Sequence, residues 1–154
     1  MTPLEGCPGS RSIALDEQNT DKTDDSGSRP SQLGQWPIQL FLVPPDAPYF
    51  SGADVLLTAD CVAYAMGDFH KDYLKGKRIA IACPKLDQGG DIYRKRITDM
   101  IDKGKINSLR VMIMEVPCCM GLYQIARQAV DNAEREIPLK KTVVGIRGNI
   151  ITEE

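Results

Sequence analysis

The sequence from residue 54 onward alternates short apolar runs with longer amphipathic segments. Apolar runs occupy 54–61, 76–83 and 108–116, and a fourth lies within 141–154. This alternation is typical of βαβ units, in which helices cover the faces of a parallel sheet. We therefore predict an α/β fold: a single three-layer domain with a mostly parallel sheet of about four strands, of the flavodoxin or Rossmann type.

Three amphipathic segments between these runs are predicted to form helices. The second segment starts near Asp91 and has Gly104 as a natural stop, because glycine is common just beyond the C-terminus of a helix. The third segment follows Cys119. The first segment, 62–74, has apolar residues at helical spacing, and these are Val62, Met66, Phe69 and Tyr73.

The N-terminal residues differ in composition from the rest of the chain. Residues 16–32 read DEQNTDKTDDSGSRPSQ and contain no large apolar side chain. Such a segment buries too little surface to offset the entropy cost of ordering it. We expect residues 1–33 to form a flexible leader that carries Cys7, and residues 34–154 to form the folded domain. At the start of that domain, Ile38 to Val43 is predicted to be extended at one edge of the sheet.

Charge and hydropathy exclude several classes of protein. The net charge is −2 and the 19 lysines and arginines are dispersed, so we expect no nucleic-acid partner. No apolar run reaches the roughly 18 residues that a membrane-spanning helix needs. The first residues also lack the basic and apolar parts of a signal peptide. We therefore expect a cytoplasmic protein that does not associate with membranes.

Four of the five cysteines follow the predicted strands. Cys61 and Cys83 close the first two strands, and Cys118 and Cys119 follow the third after a proline. In a parallel sheet the carboxyl ends of the strands meet at one edge, where such folds bind ligands. We expect the four thiols to converge there as metal ligands, although a lone cysteine at a strand end is commonly a small buried core residue.

The spacing of the cysteines bears on which metal they would bind. Thiolates select zinc, copper(I) or iron–sulfur clusters. The C-x2-C pairs typical of zinc sites are missing, so we predict an iron–sulfur cluster, with zinc as the alternative. The helix after Cys119 would present its N-terminal amides to the anionic site, and Lys85, in the loop after the second strand, would add positive charge. Cys7 is a further candidate ligand, and His70 is expected at the surface.

A family resemblance is carried by three stretches: QWPIQLFLVPPDAPYFSGADVLLTADCVAYAMGDFHKDYLKGKRIAIACPKLD, VMIMEVPCCMGL and, near the start, GCPGS. Over roughly residues 34–151 the chain resembles the 4Fe-4S ferredoxin-type iron–sulfur binding proteins of anaerobes. It lacks the C-x2-C-x2-C run of a ferredoxin module. The resemblance implies a [4Fe-4S] cluster held by Cys61, Cys83, Cys118 and Cys119, with Cys7 as a fifth thiol, and a redox role in anaerobic metabolism.

These observations leave four hypotheses for the function. The first is an electron-transfer protein that meets a redox partner protein. The second is a cluster-dependent enzyme with an open iron, in which His70 or Asp60 moves protons. The third is a zinc-binding or thiol-redox module with a strained disulfide between Cys118 and Cys119, and in the fourth the cysteines only pack. The first is favoured, because the chain has no G-x-G-x-x-G, G-x-S-x-G or H-E-x-x-H motif.

Overall fold

The computed structural model describes residues 12–14 and 27–154, and within them it shows seven strands and three α-helices. The strands are β1 (Ile13–Ala14), β2 (Gln35–Trp36), β3 (Asp54–Ala59), β4 (Arg78–Ala82), β5 (Ser108–Met114), β6 (Leu139–Val144) and β7 (Ile150–Glu153). The helices are α1 (Val62–Ala65), α2 (Gly90–Asp102) and α3 (Met120–Asn132).

The main sheet has five strands in the order β4-β3-β5-β6-β7. Strands β4, β3, β5 and β6 are parallel to one another. The last strand, β7, pairs antiparallel with β6. The prediction of a mostly parallel α/β sheet is confirmed. The fourth apolar stretch was predicted as one strand, but it forms β6 and β7, joined by a tight turn in which the Gly145 amide donates to the Asn149 carbonyl at 2.7 Å.

The central strands are buried on both faces. Residues 55–59 of β3 and 111–114 of β5 are all buried. Near-continuous apolar strands are characteristic of parallel sheets that are covered on both sides. This is why residues 55–59 and 111–114 show no strict alternation between polar and apolar residues.

Helices α2 and α3 form one covering layer. They pack against each other, and α2 buries its apolar face through Tyr93, Ile97, Met100 and Ile101. Connections between parallel strands are right-handed in nearly all proteins. Because β4 and β5 lie on opposite sides of β3, this rule puts the β3–β4 connection on the opposite face from α2 and α3.

The β3–β4 connection differs from the single helix predicted over 62–74. Helix α1 ends after one turn, where Met66 is extended (φ −103°, ψ 120°) and Gly67 follows. Glycine disfavours the helix interior because it loses the most backbone freedom there. A π-type turn, His70–Leu74, comes next. The predicted inward residues are mostly buried all the same, and these are Val62, Met66 and Phe69.

The segment before β3 covers the free edge of β4, but the prediction that Ile38 to Val43 is extended holds only at its start: the chain turns at Leu40, and the amides of Leu42 and Val43 donate to the Gln39 carbonyl at 2.8 and 2.9 Å. The Ile81 amide donates to the Ile38 carbonyl at 2.8 Å, the Leu40 amide donates to the Ile81 carbonyl at 2.9 Å, and Gln39 bridges Ile81 in parallel. The side chain of Gln35 also bonds the Ile79 backbone, with its amide nitrogen 2.5 Å from the carbonyl oxygen. The edge of β4 is therefore largely satisfied.

Part of the predicted leader is attached to the domain. Strand β1 pairs antiparallel with β2, and the Gln32 amide donates to Nδ1 of His70 at 3.0 Å. Arg29 forms an ion pair with Asp68 at 3.0 Å. Cys7 lies outside the described residues.

Candidate functional site

Four cysteines lie beyond the carboxyl ends of three adjacent strands. Cys61 is two residues past β3, Cys83 directly follows β4, and Cys118 and Cys119 come shortly after β5. Since β4, β3 and β5 are neighbours in that order, the structure places all four cysteines on loops at one edge of the sheet. We call these loops the cysteine edge.

The strand order adds a feature that could not be read from the sequence. After β3 the chain turns to β4 on one side, and it later returns to β5 on the other side. The gap between β3 and β5 is therefore the topological switch point, the position where open α/β sheets form a ligand-binding crevice. Cys61 lies on one side of this gap, and Cys118 and Cys119 lie on the other.

The adjacent cysteines belong to a short turn that leads into α3. Val116 is extended, and Pro117 begins a 3-10 turn that ends at Cys119. Proline suits the first position of a helical turn because its φ is already fixed and its missing N–H would have no partner there. Cys118 is exposed and Cys119 is buried, so the two neighbouring thiols occupy different environments.

The surroundings of Cys119 disfavour its thiolate form. Burial raises the pKa of the Cys119 thiol, and the nearby Cys118 and Cys61 raise it further, against a hydrogen bond with the Met114 backbone. A raised pKa keeps Cys119 protonated and a weak nucleophile in the metal-free protein. Metal binding would require loss of this proton.

Cys83 is held separately by its own loop. Its carbonyl accepts the Asp87 amide at 2.9 Å, which closes a turn over the CPKLD stretch, and Lys85 is exposed in that turn. Across the described ranges, no three side chains of His, Cys, Asp or Glu are grouped closely enough to hold a metal ion. The structure thus brings the four cysteines to one edge but does not gather them as ligands.

An acidic cluster lies beside the cysteines. The Tyr93 hydroxyl donates to Asp87, and burial followed by the Asp87 charge raises the pKa of Asp60. Oδ1 of Asp60 is buried and has no hydrogen-bond partner within the described part of the chain. Asp60 was considered from the sequence only as a proton carrier, whereas Asp87 and Tyr93 were not recognised, because only the loop after β4 brings them to this edge.

His70 has a structural contact. Its Nδ1 accepts the Gln32 amide, and its ring lies edge-on to Phe69 with centroids 6.1 Å apart. The residue is half-buried rather than fully exposed. It attaches the segment before β2 to the β3–β4 connection.

The fold and the switch-point site define an open α/β protein with a mostly parallel sheet. Residues 47–154 match the family model described as Rossmann-like domain, and the chain belongs to that family. It is also 28% identical over 119 residues to an uncharacterized protein of Archaeoglobus fulgidus, covering 77% of this chain and 83% of the relative. No solved structure matches the chain. Among the described residues, no helix is both long and apolar enough to cross a bilayer.

Proposed function

We propose that this protein binds a [4Fe-4S] cluster at the cysteine edge and transfers electrons to and from a redox partner protein in the cytoplasm. Cys61, Cys83, Cys118 and Cys119 would be the ligands, with Cys7 as a fifth thiol. The observation that carries the proposal is the presence of four cysteines on three neighbouring strand ends around the switch point. Thiolate ligands of this kind are the usual holders of iron–sulfur clusters.

Two further features fit an anionic metal site. Helix α3 starts directly after Cys119, and the positive end of a helix stabilises thiolates and a negatively charged group. The exposed Lys85 lies in the loop after Cys83, where a positive charge would raise a reduction potential. When bound, the cluster would supply reversible one-electron chemistry.

Binding would be accompanied by movement of the loops. The Cys83 loop and the Cys118–Cys119 turn are short segments at the surface, and their thiols are not gathered as ligands. Metal sites commonly assemble together with local folding, so that binding free energy also orders the loops. The metal-loaded protein is therefore expected to be more stable than the metal-free one.

The proposal is tested by anaerobic purification, with iron, acid-labile sulfide and zinc measured per chain. We expect about four iron and four sulfide, together with a broad visible absorption band that dithionite bleaches. Cys118→Ser changes one exposed sulfur and should lower the iron content by more than half. Met120→Leu, at the neighbouring exposed position, is the matched control and should leave it unchanged.

Two other outcomes would overturn the proposal. A colourless protein with about one zinc per chain would indicate a structural or binding module instead. If the protein takes up no metal after anaerobic reconstitution, the cysteines would instead act in thiol chemistry or serve only as packed core residues.

A further inference from the structure

The face of the main sheet opposite α2 and α3 carries a groove next to the last strand. The β3–β4 connection on this face contains only two short helical turns, and all four residues of β7 are exposed. A groove of about 440 Å³ lies between them, bounded by Tyr73 of the connection and by Ile150 and Glu153 of β7. We call it the sheet-face groove. Its volume is in the range of small-molecule sites.

One end of the sheet-face groove is polar and is built around Arg110 of β5. Its Nη1 donates to Thr142 Oγ1 at 2.8 Å and to Glu153 Oε1 at 3.1 Å. The Tyr73 hydroxyl donates to the same Glu153 oxygen at 3.3 Å. Within the described chain, Nε and Nη2 of Arg110 make no hydrogen bond. These nitrogens can therefore still donate to a ligand.

Two further charged side chains line the groove without forming an ion pair. Lys77 and Asp72 belong to none of the ion pairs found among the described residues. Hydrogen bonds lower the pKa of Asp54, and the charge of Lys77 adds to this. Together with Arg110 and Glu153 the groove contains two cations and two anions. A lining with zero net charge favours neither a simple anion nor a simple cation.

The other end of the sheet-face groove is apolar. In the register of β6 and β7, Ile150 lies two residues further towards the carboxyl end of β6 than Glu153 does. Met66 and Gly148 line the groove with it, and a Cβ built on Gly148 would lie 3.5 Å from the Met66 Cα. Ile150 is 38% exposed. An apolar group bound at this end would remove that surface from water, which favours binding.

We propose that the sheet-face groove binds a free α-amino acid with an aliphatic side chain. The carboxylate would pair with Lys77 and Arg110, and the ammonium would pair with Asp72. The side chain would lie on Met66 and Ile150. A ligand that carries both charges and an apolar group uses both ends of the groove, whereas a single charge leaves half of the charged groups unused. This binding is separate from the cysteine edge and goes beyond electron transfer.

Amide NMR titration of the full-length protein tests the proposal, with L-leucine as the probe. We expect saturable shifts of the Met66, Tyr73 and Ile150 amides, with a Kd below about 1 mM. Three matched compounds each lack one part of leucine: 4-methylpentanoate has no ammonium, 3-methylbutylamine has no carboxylate, and glycine has no side chain. Each should bind at least about fivefold more weakly.

Charge variants assign the two ends of the bound amino acid. Lys77→Met should weaken L-leucine binding at least about fivefold and leave binding of 3-methylbutylamine unchanged, because that compound has no carboxylate. Asp72→Asn should weaken L-leucine binding as much and leave 4-methylpentanoate unchanged. Lys75→Met is the control, since Lys75 is exposed in the same connection and does not line the groove. It should change none of these affinities.

Three results would overturn the proposal. The first is no saturable shift with L-leucine at up to about 20 mM, well above the expected Kd. The second is equal affinity for L-leucine and for either single-charge compound, which would make the groove a site for one ion. The third is an unchanged L-leucine affinity in Lys77→Met and Asp72→Asn, which would mean that leucine binds elsewhere on the protein.

Discussion

Asp60 is a carboxyl group whose surroundings disfavour its charge. Burial and the neighbouring Asp87 raise its pKa above the ordinary 3.8, and its Oδ1 has no hydrogen-bond partner among the described residues. For an acid whose pKa is higher in the folded state, the unfolded chain loses its proton first. The contribution of Asp60 to the free energy of unfolding is therefore fully present below pH 3.8. It is lost as the pH rises from there through the folded-state pKa.

Asp60→Asn should stabilise the metal-free protein at pH 7, because it removes a charge that folding desolvates. We expect the free energy of unfolding in urea to rise by about 0.5–1 kcal/mol, a value that allows for solvent screening of a partly exposed carboxyl. At pH 3 the gain should disappear. Asp91→Asn, whose side chain is 94% exposed, is the control and should give no gain at either pH. If Asp60→Asn raises the free energy of unfolding equally at pH 7 and pH 3, packing rather than charge is responsible.

At the scale of elements, the turn between β6 and β7 holds the β3–β4 connection in place. Gly148 adopts φ +85°, and a Cβ there would run into the carbonyl oxygen of Ala65 at the end of α1. Glycine is needed both for the left-handed backbone and for the close approach. The turn thus links the last strand pair to the segment that carries Cys61 at its start.

Gly148→Ala should therefore lower the free energy of unfolding by more than the strain of a positive φ alone. Gly52 has a similar φ of +72° but nothing within 4 Å of a built Cβ, so Gly52→Ala measures the backbone cost, about 1–2 kcal/mol. We expect Gly148→Ala to lower the free energy of unfolding by about 1–3 kcal/mol more, because of the added clash. Urea unfolding of both variants checks this, and equal losses would show that α1 moves aside freely.

The elements also show which parts of the fold the sequence could reveal. Strands β3, β4 and β5 were predictable because each contains a short, largely buried apolar run. The break after α1 was missed, since apolar spacing reports which residues face inward and not whether the helix continues through Gly67. The strand order was not predictable, because it depends on pairings between distant segments. For that reason the switch point, and the cluster of Asp60 with Asp87 and Tyr93, appear only in the structure.

At the scale of the whole molecule, stability should be graded from the centre of the sheet outward. Strands β3 and β5 have partners on both sides, whereas β1 and β2 pair over two residues. Hydrogen exchange of the folded protein should therefore be slowest for the amides of Leu56, Leu57 and Val111, and much faster for Ala14 and Thr152. Uniform protection across these positions would mean that the outer strands open only with global unfolding.

The two edge strands of the main sheet determine how readily the protein aggregates at high concentration. On one side the backbone of β4 is occupied by the Gln35 side chain and by Ile38 to Leu40, and on the other side the last strand, β7, has only four residues. A long open strand is a template on which further chains add and grow into aggregates. Because both sides of the main sheet are short or occupied, the described part of the chain offers little such template there, and concentrated solutions should favour separate folded molecules over fibres.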